Sequence, residues 1–163
     1  MEVIFLSPTS LKIKAKNTSF IVNPEKKVDG EVAVFTKKPD DYSLFGDTLI
    51  FDGPGDYEVA GVSIKSEKSD DGIYFDFLEE NQKLMLMSSP KIAKNEDTDD
   101  YTAVIAELSE QLDDSFSAAS SEIAVVYGPE EFLPAEKGDL KKADKINLKK
   151  VEDYKGSLVY LSK

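Results

Sequence analysis

The chain has 163 residues, with 20 basic and 32 acidic side chains that give a formal charge of −12 at pH 7. It contains no His, Cys, Trp or Arg, which excludes His-assisted Ser or Cys catalysis, disulfides and ordinary imidazole or thiolate zinc sites. The negative charge argues against nucleic acid as a partner, and no apolar run is long enough to span a bilayer.

The length predicts a single domain over residues 1–163. Residues 1–6 carry neither the basic segment nor the long apolar stretch of a signal peptide, so we expect a cytoplasmic protein that does not use a membrane.

Short β-prone runs separated by turn residues dominate the first hundred residues. They predict strands over residues 3–6, 11–14, 19–22, 31–35, 48–51, 57–65, 72–78 and 83–87. An acidic break follows at 95–100, and apolar runs then predict strands over 101–106, 123–127 and 157–161. Between the first two of these, Leu108, Leu112 and Phe116 recur at a spacing of four, which predicts a helix over 109–119. Strands this short and close together favour packed sheets over a helical bundle.

The turn after the fifth predicted strand carries the most specific motif, Asp-Gly-Pro-Gly-Asp-Tyr-Glu-Val-Ala-Gly-Val at 52–62. It is similar to the Gly-Pro-Gly-Glu-Tyr-Glu-Val-x-Gly-Val sequence typical of a short, uncharacterised bacterial hydrolase-like branch of the metallo-β-lactamase fold superfamily. Segments 3–13, 21–24, 83–90, 142–148 and 157–161 resemble other strands of that branch. The resemblance implies an α/β fold: an αββα sandwich of two packed mixed sheets with reduced helical layers, so that strand exceeds helix. The signature positions are Gly53, Pro54, Gly55, Asp56, Tyr57, Glu58 and Gly61.

The departures from the family fall where its chemistry lies. The superfamily holds its metals with a His-x-His-x-Asp-His motif after the fourth strand. In the corresponding stretch, Lys37, Pro39 and Tyr42 stand at His positions, and only Asp41, next to Asp40, keeps the aspartate. Four further substitutions follow the same trend. Pro8 stands near an upstream Gly-His, Asn23 replaces an Asp, Ser89 stands at or near a metal-bridging Asp, and Tyr127 stands near a later His.

These substitutions remove the ligands that zinc hydrolysis needs. A lysine ammonium repels a metal ion, a proline offers no side-chain ligand, and one aspartate cannot replace five or six ligands. We therefore expect no catalytic residue, metal or cofactor, and a binding or interaction module with a protein partner or a second copy of the chain as its target. The alternative is a hydrolase with Mg²⁺ or Mn²⁺ held by carboxylates such as Asp40, Asp41, Asp52 and Asp56.

Overall fold

A computed structural model describes residues 1–29, 31–91, 97–112, 116, 121–135 and 138–163. The described chain forms fourteen strands in two mixed sheets that pack face to face. Its helical segments with defined bounds are two short 3₁₀ turns, Glu130–Phe132 and Val151–Tyr154. Strand therefore exceeds helix in the described residues, as predicted.

The first sheet has six strands in the order β13-β1-β2-β3-β4-β5. Strands β3, β4 and β5 run parallel, and the other neighbours are antiparallel. The strands are β1 (Glu2–Ser7), β2 (Ser10–Lys14), β3 (Ser19–Val22), β4 (Val32–Val34), β5 (Ile50–Phe51) and β13 (Lys145–Asn147).

The second sheet has eight strands in the order β12-β14-β11-β10-β9-β8-β7-β6. The five strands from β12 to β9 are parallel, and β9 to β6 form an antiparallel meander. The strands are β6 (Gly55–Val59), β7 (Val62–Ser69), β8 (Gly72–Glu79), β9 (Gln82–Met87), β10 (Ala103–Glu107), β11 (Ile123–Tyr127), β12 (Leu140–Ala143) and β14 (Leu158–Leu161).

The main core lies between the two sheets. Strands of both sheets alternate inward and outward, so residues such as Phe20 on β3 and Phe77 on β8 meet across the interface, with ring centroids 5.2 Å apart. A second cluster covers the outer face of β9, β10 and β11, where Leu108, Leu112 and Phe116 pack on the sheet. The outer face of β6, β7 and β8 has no such cover among the described residues.

Two predicted elements differ from the structure. The single strand predicted over 57–65 is wrong, because the chain reverses at Ala60 and Gly61, whose φ angles of 49° and 87° are those of a tight hairpin turn. Of the helix predicted over 109–119, residues 109–112 are not helical and Phe116 is helical, while residues 113–115 and 117–119 lie outside the described part of the chain. No helix of the described residues is long and apolar enough to cross a membrane.

Candidate functional site

The carboxyl ends of the parallel strands from both sheets meet at one edge of the sandwich. Thr36 follows β4, Ser88 follows β9, and Glu107 and Tyr127 end β10 and β11. Strand register places Glu107 beside Tyr127. Ligands of open α/β sheets bind outside the carboxyl ends of strands, so this edge is the first place to look for a site.

Asn23 binds Thr36, the second residue after β4, through three hydrogen bonds. Its own φ is 45°, and its Oδ1 accepts hydrogen bonds from the backbone N–H and the hydroxyl of Thr36, at 3.0 and 3.3 Å. Its Nδ2 donates to Thr36 Oγ1 at 3.0 Å. The neutral amide, which the resemblance aligns with a family Asp, thus both donates a hydrogen bond to Thr36 and accepts two from it. Thr36 itself is fully buried.

The turn between β7 and β8 joins the ends of β4 and β9. The backbone N–H of Ile73 donates to the Thr36 carbonyl at 2.8 Å, and the Ser88 hydroxyl donates to the Asp71 carbonyl at 2.7 Å. Gly72 lies between them with φ +143°, so tightly that a Cβ atom would stand 2.6 Å from both Thr36 O and Ser88 Oγ. Backbone of the second sheet therefore fills the space between these two strand ends.

Charged and phenolic groups lie beside this closed contact. Burial raises the pKa of the Glu107 carboxyl, and the positive charge of Lys37 opposes that rise. Tyr127 is fully buried and its hydroxyl has no hydrogen-bond partner among the described residues. Burial, and then the charge of Glu107, raises the pKa of Tyr127 well above its ordinary value. The cation that faces Glu107 is thus a lysine ammonium.

Two carboxylates that follow β4 in the chain accept hydrogen bonds from nearby residues. Asp41 accepts hydrogen bonds from the backbone N–H and the hydroxyl of Ser43, at 2.8 and 2.7 Å, and these bonds lower its pKa. The Tyr42 hydroxyl donates to Asp52, which raises the pKa of Tyr42. Asp40 is exposed. Of the four carboxylates in the hard-metal alternative, Asp41 and Asp52 therefore already accept hydrogen bonds from other residues of the chain.

The remaining predicted positions differ in burial and, in the part of the chain that the structure describes, share no hydrogen bond or salt bridge with one another. Pro8 lies exposed in the β1–β2 turn, Pro39 is half-buried and Lys37 is exposed. Ser89 is buried, and its hydroxyl donates to the Glu110 carboxylate at 3.2 Å. The same carboxylate forms a salt bridge with Lys91 at 2.8 Å.

The signature turn performs a structural task. The Gly53 carbonyl accepts hydrogen bonds from the hydroxyls of Ser66 and Tyr57, at 2.7 and 3.0 Å. The Tyr57 ring stacks on Phe51 with centroids 4.1 Å apart. A Cβ at Gly55 would lie 2.9 Å from the Tyr57 hydroxyl, so a larger residue there would force the Tyr57 side chain to shift. These contacts hold the chain where it passes from the first sheet to the second.

Three of the residues that close the strand ends were not among the predicted positions. Thr36, Gly72 and Ser88 are small residues next to strands, and nothing in the local sequence distinguishes them from ordinary turn residues. Glu107 carried a weak signal, because it is the first charged residue after the apolar run 103–106.

Comparison with known proteins supports the fold. A crystal structure from Thermotoga maritima, of a protein assigned to the Zn-dependent hydrolases of the metallo-β-lactamase superfamily, superposes with a TM-score of 0.70 over 99% of this chain and 100% of that chain. The fold is that of the metallo-β-lactamase superfamily. The two sequences are 12% identical. No protein-family model matches the chain, and no curated protein matches it.

The residues at the strand ends do not fit the zinc that this fold family implies. A zinc ligand must present a lone pair from an imidazole, thiolate or carboxylate. Here Lys37 presents a cation, and the amide of Asn23 is committed to Thr36. In the described part of the chain, no group of three or more His, Cys, Asp or Glu side chains is placed to hold a metal ion.

Proposed function

We propose that this chain is a zinc-free, non-catalytic relative of the metallo-β-lactamase-fold hydrolases that acts by binding. One observation carries the proposal: the turn at Gly72 fills the space between the ends of β4 and β9, next to the stretch after β4 to which the sequence resemblance assigns the family's metal motif. Metal-assisted hydrolysis needs an open coordination position for water or substrate. A pair of strand ends joined through the turn by one backbone hydrogen bond and one bond from the Ser88 hydroxyl offers no such position.

The charges at this edge support the same proposal. Replacing a divalent cation by an ammonium keeps a positive charge opposite Glu107, but an ammonium cannot polarise a bound water as a Lewis acid does. The fully buried Tyr127 occupies the interior of the edge and leaves its hydroxyl out of reach of a substrate.

The test combines metal content with activity. Protein purified without chelators should carry far less than one zinc per chain by elemental analysis, before and after incubation with zinc. It should not hydrolyse a nitrophenyl ester, a chromogenic β-lactam or bis-p-nitrophenyl phosphate faster than buffer, with or without Zn²⁺ or Mn²⁺. Stoichiometric zinc, or hydrolysis faster than in buffer, would overturn the proposal.

The carboxylate-metal alternative has its own decisive measurement. A metal that binds only the native state must raise its melting temperature. A rise with Mn²⁺ that is lost in Asp41→Ala, together with hydrolysis that is lost in the same variant, would replace our proposal by that alternative. Asp29→Ala is the matched control, since Asp29 is also an exposed loop aspartate.

A further inference from the structure

A polar cavity lies on the uncovered outer face of the second sheet, away from the strand ends described above. It has a volume of about 800 Å³ and is lined by outward-facing residues of β6, β7, β8 and β9 together with Tyr101. The volume falls in the range of small-molecule sites, roughly 300–1,000 Å³. Its lining includes both charged groups and one exposed hydrophobic side chain, Leu78, which is 45% exposed.

Strand register orders the charges in this cavity. Asp56 on β6, Lys65 on β7 and Asp76 on β8 stand in one row, so the two carboxylates are two strand spacings apart, ~10 Å between backbones. Lys65 pairs with Glu67 at 2.7 Å. The lining holds four carboxylates and two ammonium groups, and is therefore net negative.

Asp76 is the carboxylate of this lining that has a buried oxygen, Oδ1, without a hydrogen-bond partner among the described residues. The Tyr101 hydroxyl hydrogen-bonds to the carboxyl, and Lys83 stands over the Tyr101 ring with its Nζ 4.0 Å from the centroid. Burial raises the pKa of Asp76, while Tyr101 and then Lys83 oppose the rise and the charge of Glu67 adds to it. An unpaired carboxylate oxygen at the floor of a cavity calls for a donor.

We propose that this cavity binds a small organic cation in which a hydrocarbon chain joins two or more ammonium groups. One ammonium donates to Asp76, whose carboxyl reaches it by rotating about a soft terminal torsion. The chain lies against Leu78, the next outward-facing residue of β8. A second ammonium extends toward Asp56 and Glu58 on the edge strand, which are both exposed. The inference is independent of whether the strand-end site is catalytic.

Spermidine is the probe that tests this inference, with binding measured by isothermal titration calorimetry at pH 7 and low salt. Asp76→Asn should weaken binding roughly tenfold, because it removes a charge-assisted hydrogen bond. Asp139→Asn is the matched control. It removes the same charge from an exposed residue just before β12, the opposite edge of the same sheet, and should change affinity by less than about twofold because that charge is screened.

A second variant keeps the test decisive if Asp76→Asn does not fold. Glu58→Gln changes only an exposed side chain of the edge strand and should weaken spermidine by a few-fold. The uncharged hexane-1,6-diol should not bind at all. No spermidine binding, equal weakening by Asp76→Asn and Asp139→Asn, or equal binding of the diol would each overturn the proposal.

Discussion

Gly72→Ala is the sharpest test of the closed strand ends. A Cβ at this position would stand 2.6 Å from the Thr36 carbonyl oxygen and from Ser88 Oγ, far inside van der Waals contact. The Ser88 hydroxyl can rotate away if it gives up its bond to the Asp71 carbonyl. The Thr36 carbonyl cannot, because it is a backbone atom bonded to Ile73. The added methyl must therefore push the hairpin turn off the end of β4.

The expected loss has two parts. Placing a side chain at φ +143° strains the backbone by about 1–2 kcal/mol, and overpacking a tight contact costs about 1–3 kcal/mol. We expect Gly72→Ala to lower the free energy of unfolding by about 3 kcal/mol, which for a chain of this size lowers the melting temperature by about 6–12 °C.

Urea denaturation measures this loss, and Gly61→Ala separates its two parts. Gly61 also has a positive φ, +87°, but a Cβ there meets nothing within 4 Å. Gly61→Ala should therefore cost only the backbone strain, about 1 kcal/mol. Equal losses in the two variants, with unchanged m-values, would refute the tight contact between the turn and the ends of β4 and β9.

Three further predictions concern the same edge. Tyr127→Phe should leave stability unchanged or raise it by about 1 kcal/mol, because it removes a buried hydroxyl without a partner; a clear loss in urea denaturation would contradict this. Burial gives Glu107 a raised pKa, so the folded chain binds its proton more tightly and stability falls as pH rises through the window from the ordinary to the raised value. Glu107→Gln should therefore raise the melting temperature at pH 7 and lose that advantage near pH 4, and a shift that does not depend on pH would refute the assignment. Asn23→Ala should cost about 2 kcal/mol, because it leaves the buried Thr36 N–H and hydroxyl unpaired; Asn147→Ala, at an exposed asparagine, is the control, and equal losses would argue against the role of these hydrogen bonds.

Strand prediction succeeded where the side-chain pattern is local. The runs at 19–22 and 123–127 coincide with β3 and β11, because three to five apolar or β-branched residues bounded by turn residues are enough to specify a buried strand. The reversal at Ala60 and Gly61 was missed, because a single glycine preceded by alanine is a weak turn signal and β-prone residues continue on both sides.

The candidate site was only partly predictable. The resemblance predicts an altered metal motif around Lys37 and Asn23, and this alignment stays a prediction. It did not locate Gly72. This residue is far in sequence from Thr36 and Ser88, and the pairing of β7 with β8 brings it into contact with both. Likewise, Lys37 follows a strand of the first sheet and Glu107 ends a strand of the second, so the packing of the two sheets brings their charges together.

The sequence by itself determined which chemistry is absent and which scaffold is present. A chain without His, Cys or Arg holds no imidazole, thiolate or guanidinium in any conformation, and the motif over 52–62 marks the turn that joins the two sheets. Only the tertiary structure decided which distant residues come together. Backbone from the Gly72 turn fills the strand ends, and the outer sheet face gathers Asp56, Lys65 and Asp76 in one row. Both arrangements arise from strand pairing and sheet packing, which join residues far apart in the chain.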